Sequence, residues 1–211
     1  MKNSLEIEEV LRFWFGGIPS NHFSFLDLLS TLKRYPYWYG KAFPFLDSDQ
    51  SIEERYEELV QRARKGELVE WESTSEGRLA LILLLDQLPR NIYRGKQKAF
   101  ESDKQALDLA QRSIILGDHL KVHALARTFY FFPLMHQEDI ALQDECVEHC
   151  KDNIVDSSCF NFCSVVGVFL SSLRHRSIVQ RFGRYPHRNA ILGRRTTKEE
   201  KAFLRQPFSS F

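Results

Sequence analysis

Three short stretches carry charged and polar side chains where a plain helical scaffold would carry apolar ones. The first is Asp86-Gln87-Leu88-Pro89-Arg90-Asn91-Ile92-Tyr93-Arg94-Gly95. A helix ending near Leu88 puts Asp86 in its last turn, where the carbonyl end of the helix dipole repels a carboxylate. Asp86 then needs a cationic or hydrogen-bonding partner, for which an arginine is the obvious candidate. The alternative is that Asp86 caps a new short helix and that Arg90 and Arg94 are solvated.

The second stretch is Pro133-Leu134-Met135-His136-Gln137-Glu138-Asp139. Glu138 and Asp139 suit a helix N-terminus, where a carboxylate contributes about 0.3–1 kcal/mol. His136, set between an apolar turn and these carboxylates, has the makings of an acid–base group, although a lone histidine also serves structure. The third stretch runs from Arg181 to Arg194 and combines Arg181, Arg184, His187, Arg188, Asn189 and Arg194 with Gly183, Pro186 and Gly193. Glycine and proline set fixed turns, so these guanidiniums are aimed, and aimed guanidiniums grip carboxylate or phosphate through two N–H groups at once. They either bind a ligand or pair internally with Asp86, Glu138 or Asp139, and one site can do both.

Other chemistries find less support. Cys146 and Cys150, then Cys159 and Cys163, stand at i, i+4, with His149 nearby. Two facing pairs could hold zinc, but structural zinc sites use shorter C-x2–4-C loops, and buried cysteines behave as small apolar residues. No metal and no cofactor is therefore expected. The chain contains no glycine-rich phosphate loop, no G-x-S-x-G elbow and no H-E-x-x-H helix, which removes the common nucleotide, hydrolase and metalloprotease readings.

The elements that position these stretches read as helices. Ser51 and Glu54 form a capping-box pattern, with Ile52, Tyr56, Leu59, Val60 and Ala63 on one face before Gly66. LALILLLDQ is apolar all round and poor in β-branched residues, which predicts a buried central helix that Pro89 stops or kinks. A 3–4 spacing runs from Phe100 through Ile114 to Gly117, and again from Leu120 through Phe132 to Pro133, predicting an antiparallel hairpin. Further helices are expected at about 138–151 and 159–182, and a short one opening on the Thr197–Glu200 capping box. Residues 16–46, aromatic and holding Pro19, Pro36 and Pro44, are expected to wrap the domain irregularly.

No polar linker interrupts the chain after Gln50, so residues 1–211 are read as a single helical domain. At 43% hydrophobic and 13% aromatic residues, the chain has material for a core, which excludes disorder. The apolar runs 79–85 and 165–170 are too short to cross a bilayer, and Glu6, Glu8 and Glu9 break up the N-terminus as a signal or transit peptide. No membrane association, a cytoplasmic location and reduced thiols are expected. The net charge of +1 hides an uneven spread, since residues 171–211 hold ten Lys or Arg against Glu199 and Glu200. Such a segment either meets an anion or neutralises the acidic remainder within the fold.

The strings LALILLLDQLPRNIYRG, FFPLMHQED and RFGRYPHRNAILGRRTTKEEKAFL, in that order, resemble the hallmark blocks of the family known as domain of unknown function 924. VLRFWFG, Trp38, Asp47 and Ile52 fit the same pattern, so the likeness spans nearly the whole chain. The resemblance implies a bacterial, tetratricopeptide-like stack of helical hairpins and no established activity. It marks Asp86, Gln87, Pro89, Arg90, Asn91 and Arg94 in the first block, and His136, Glu138 and Asp139 in the second. In the third it marks Arg181, Gly183, Arg184, Pro186, His187, Arg188, Asn189, Gly193 and Arg194. Gln137 stands where the family pattern has Ser, which counts against a hydroxyl nucleophile there, and the stretch from Cys146 to Cys163 matches no block.

The leading expectation is a helical binding module whose polar blocks converge on a pocket for a small anionic ligand or an acidic peptide. Arg90, Arg94, Arg184 and Arg188 are its clamps, and Asp86, Glu138 and Asp139 orient them. The second is an enzyme in which His136 or His187 acts as general acid–base while arginines steady a negative transition state. Nucleic-acid binding ranks last, because the basic residues of the C-terminal third are interleaved with Phe182, Tyr185, Ile191 and Leu192. No feature of the sequence specifies an oligomeric state.

Overall fold

In the computed structural model, residues 2–38, 48–207 and 209–210 are described, and among them there is no strand. Asp47, Pro44 and the remainder of 39–46 lie outside the described residues. Helix α1 (Lys2–Phe15) buries Val10, Leu11, Trp14 and Phe15. The segment expected to be irregular holds two short helices, α2 (Phe25–Leu32) and α3 (Tyr35–Trp38). The local cause of α2 is a complete capping box: the Ser24 hydroxyl accepts from the Asp27 N–H while the Asp27 carboxylate accepts from the Ser24 N–H. Helix α4 (Ser48–Arg64) begins three residues before the expected cap at Ser51 and buries Ile52, Tyr56, Val60 and Ala63, one stripe of a helical wheel.

The central element is the apolar run. Helix α5 (Ser75–Ile82) starts at the Thr74 cap and passes into a π-helical turn, Leu83–Gln87, then into α6 (Leu88–Ile92). Leu79 to Leu85 are all buried, as a helix apolar on every side must be. Pro89 has no N–H to give the Leu85 carbonyl four residues back, so the helix widens there: Leu88 donates to Leu83 instead, and the Ser102 hydroxyl donates to Leu85 O at 2.7 Å. π-turns of this kind recur at functional sites, and this one carries Asp86. At the other end of α5, a Cβ on Gly77 would stand 2.0 Å from the Trp71 carbonyl, so only glycine lets the helix pack against the 3₁₀ turn Val69–Ser73.

The remaining helices are α7 (Asp103–Ile115), α8 (Ala124–Met135), α9 (Ile140–Val155), α10 (Phe162–Phe182) and α11 (Lys198–Leu204). Helices α7 to α10 each pack on the next in the chain. Helix α8 runs two residues past Pro133, which has no N–H to give the Phe129 carbonyl four residues back. Thr197 and Glu200 make the expected capping box at α11. Gly183, at φ +67°, ends α10 and turns the chain back across the α8–α9 junction.

Candidate functional site

The π-turn, the end of α8 and the turn after α10 meet around one cavity of about 310 Å³. Asp86, 0% exposed, lies behind its floor. His136 Nδ1 stands 2.7 Å from Asp86 Oδ1, Gln87 Nε2 donates to Oδ2 at 2.5 Å, and Arg90 Nη1 lies 3.2 Å from Oδ1. Burial by itself would raise the Asp86 pKa, but the Arg90 charge and the hydrogen bonds from His136 and Gln87 outweigh it and hold the carboxyl well below its ordinary range. Burial and Arg90 in turn outweigh the attraction of Asp86 and hold the His136 imidazole below its ordinary value. The two groups therefore face each other as carboxylate and neutral imidazole. The proton must sit on Nδ1, which leaves the Nε2 lone pair as the basic position of a side chain that lines the cavity.

Two arginines form the opposite side. Arg90 pairs with Asp103 at 2.9 Å, and Arg188 reaches the same carboxylate at 3.8 Å and donates to the His136 carbonyl at 3.0 Å. Arg188 lies 4.7 Å from the Phe100 ring centroid and 4.6 Å from that of Tyr185, which fixes its plane. Burial and the like charge of Arg90 push Arg188 down to about 10, so it remains a cation at neutral pH. Arg90 Nη2 and Arg188 Nε are buried donors with no acceptor among the described residues. The rest of the lining includes the apolar Trp38, Leu125, Phe129, Phe132, Met135 and Val168, with Asn91, Arg94, His175 and His187 among its polar positions. Asn91 Nδ2 donates to the Tyr37 carbonyl, and Arg94 Nη2 donates to Asn91 Oδ1 at 2.7 Å.

The other expected site residues stand elsewhere. Glu138 takes both Nη atoms of Arg194, at 2.5 and 2.9 Å, and accepts from the Tyr185 N–H. Arg184 grips Glu200 through two bonds of 2.7 and 3.0 Å, and Arg181 pairs with Glu199. Asp139 caps α9 by accepting from the Leu142 N–H. Asn189 is buried, with Nδ2 3.5 Å from Thr196 Oγ1. Glu138 and Arg194 tie the C-terminal turn to the α8–α9 junction, Arg181 and Arg184 tie it to α11, and none of these residues lines the cavity. Three contributors carried no signal in the sequence: Asp103, Phe100 as a guanidinium platform, and Tyr185, whose hydroxyl donates to the Met135 carbonyl. Among the described residues no group of three or more His, Cys, Asp or Glu side chains could hold a metal. Cys146 and Cys150 are buried 4.0 Å apart, whereas Cys159 and Cys163 are exposed.

A family model described as bacterial protein of unknown function (DUF924) matches residues 10–208. A solved structure of a protein of unknown function from Agrobacterium tumefaciens is 33% identical, with a TM-score of 0.65 over 85% of this chain and 96% of that one. No curated protein matches.

Proposed function

The chain belongs to the DUF924 family, and from that premise and the geometry above we propose that it binds a small organic anion, with Arg90 and Arg188 as the clamp and the aromatic wall as the seat of the ligand's apolar body. The observation that carries this is the pair of buried guanidinium N–H donors without acceptors among the described residues, Arg90 Nη2 and Arg188 Nε, on residues that line one cavity. A buried donor left unmade costs roughly 1–3 kcal/mol, which a carboxylate or phosphate oxygen would offset. At about 310 Å³ the cavity is at the small end of ligand pockets. The test is a titration of a panel of aryl and alkyl carboxylates and phosphates, read by melting temperature and calorimetry. A ligand found this way is expected to bind Arg188→Lys about tenfold more weakly, because lysine keeps the charge and loses the fork. A panel without a single binder, or equal affinity for the lysine variant, contradicts the proposal.

One observation favours a second reading, that the ligand is also a substrate. The ionised Asp86 fixes the His136 tautomer and leaves Nε2 poised to take a proton, as in the base of a carboxylate–histidine pair. Gln137 is amide and not hydroxyl, so the proton would come from water or from the bound molecule. His136→Gln is expected to abolish turnover, by about 100-fold or more, while the ligand still binds. Turnover unchanged in that variant would remove this reading and leave the binding proposal standing. The successive packing of α7 to α10 further supports a tetratricopeptide-like assignment of the stack.

A further inference from the structure

Tyr37 lines two cavities. Besides the one described above there is a hollow of about 380 Å³ lined by Glu9, Arg12, Phe13, Arg34, Tyr37 and Arg55. Three helices and a turn build it: α1 supplies Glu9, Arg12 and Phe13, the α2–α3 turn supplies Arg34, α3 supplies Tyr37 and α4 supplies Arg55. Its charges are not balanced. Arg12 pairs with Glu8 at 2.6 Å, and Arg55 sends both Nε and Nη2 to one oxygen of Glu9, at 3.1 and 2.9 Å. Arg34 meets no carboxylate among the described residues; its Nη2 reaches only the Arg12 carbonyl at 3.5 Å, and its Nε is buried without an acceptor. Beneath the hollow, Tyr56 is 0% exposed and its hydroxyl also lacks a partner among the described residues.

The arrangement is stiff where a ligand would need it to be. The Phe13 ring is 4.9 Å from Tyr37 and 4.8 Å from Tyr56, and the Arg55 guanidinium sits 5.3 Å from the centroids of both Phe13 and Tyr56. Stacking of this kind holds Arg55 in one plane. Glu9 would repel an anion, but Arg55 already neutralises it through two hydrogen bonds, and Arg34 remains as the cation that no described carboxylate compensates. Three guanidiniums around one hollow offer more N–H donors than the two oxygens of a carboxylate can accept. A phosphoryl group has three terminal oxygens and close to two negative charges at neutral pH.

We propose that this hollow is a second, separate binding site, for the phosphoryl group of a small aromatic phosphate ester whose ring lies along Phe13 and Tyr37. It is independent of the proposed organic-anion cavity, with which it shares only the Tyr37 wall.

The probes are inorganic phosphate, phenyl phosphate and benzoate, titrated into the full chain and followed by calorimetry together with side-chain NMR signals of Tyr37 and His136. Phenyl phosphate is expected to bind about tenfold more tightly than inorganic phosphate and to lose at least about tenfold in affinity in Arg34→Gln. Arg34 pairs with no other side chain among the described residues, so the circular dichroism spectrum of that variant should be unchanged. Perturbation of His136 by benzoate is expected to survive in Arg34→Gln, which separates the two sites. The proposal is overturned if phenyl phosphate does not saturate, if it binds Arg34→Gln as well as the parent chain, or if benzoate occupies the hollow as tightly as phenyl phosphate does.

Discussion

Lowering the pH from 7 to 4 is expected to unfold this protein, before the carboxylates of its buried site take up protons. His123 and His175 are held neutral in the fold. Burial, followed by the Arg127 charge and against the pull of Asp27, takes His123 to about 4, and burial above all takes His175 to about 3. The contacts of the two rings differ. His123 Nδ1 is an acceptor, capping α8 by receiving the Ala126 N–H at 3.1 Å, so protonating that atom removes the cap. His175 Nδ1 donates to the Ser171 carbonyl at 2.8 Å, a bond that favours the charged ring, but burial inside a helix packed against Tyr185 outweighs it.

Both folded pKa values lie below the unfolded one of about 6.5, so as pH falls the unfolded chain takes up protons first, and stability drops from about pH 6.5 until the folded groups themselves titrate, His123 near pH 4 and His175 near pH 3. Each tenfold difference in proton affinity between the two states is worth about 1.36 kcal/mol, so with an allowance for solvent reaching His123 the pair removes about 5 kcal/mol by pH 4. That is of the order of the whole stability of a domain. His136 and His119 act in the same direction. Asp86 and Glu138, whose pKa values are lowered, withdraw their contribution only at still lower pH. Urea denaturation followed by circular dichroism at pH 7, 6, 5 and 4 measures the slope. His123→Asn, which keeps a capping acceptor without a titrating group, should flatten it by about half. Equal urea midpoints at pH 7 and pH 4.5 would contradict the assignment.

How far the site could be read from the chain depends on how far apart its partners stand. Asp86 and Arg90 are four residues apart across a helix, a spacing at which a partner for a dipole-opposed carboxylate can be anticipated. The contact from Asp86 to His136 spans 50 residues, and that from Asp103 to Arg188 spans still more; no local period encodes either. Asp103 is invisible for a further reason: at the first position of α7 an acidic residue is fully accounted for by the helix dipole. In the C-terminal block every arginine carries the same local signature, and only the fold separates them. Arg181, Arg184 and Arg194 are each met by a glutamate, whereas the 3₁₀ turn at Pro186–Arg188 rotates Arg188 inward. The same limit explains α2. Its capping box uses Asp27 in place of the usual Glu or Gln, and its eight residues are too few to show a period among neighbouring prolines and aromatics.

Because the site's charges neutralise one another, removing a single member should cost far more than removing a matched pair. In Asp86→Ala the Arg90 guanidinium stays buried, with Asp103 as its remaining carboxylate, and the His136 Nδ1–H loses its acceptor. Breaking a buried ion pair from one side costs about 3–5 kcal/mol, and the low end is expected here because Asp103 still faces Arg90. The double variant Asp86→Leu, Arg90→Met removes both charges and fills their volume with apolar groups, an exchange that in other proteins is close to neutral. It should therefore recover most of the loss, by about 2 kcal/mol or more, although it also leaves Asp103 paired with Arg188 alone. The single variants differ in their effect on His136: loss of Arg90 removes a charge that lowers its pKa, whereas loss of Asp86 removes one that raises it. Its titration, followed by the imidazole NMR signals, should move up in Arg90→Met and down in Asp86→Ala. Urea unfolding of the three variants supplies the energies. If Asp86→Ala and the double variant were equally destabilised, or His136 titrated identically in both single variants, the carboxylate, guanidinium and imidazole would not act as one coupled unit.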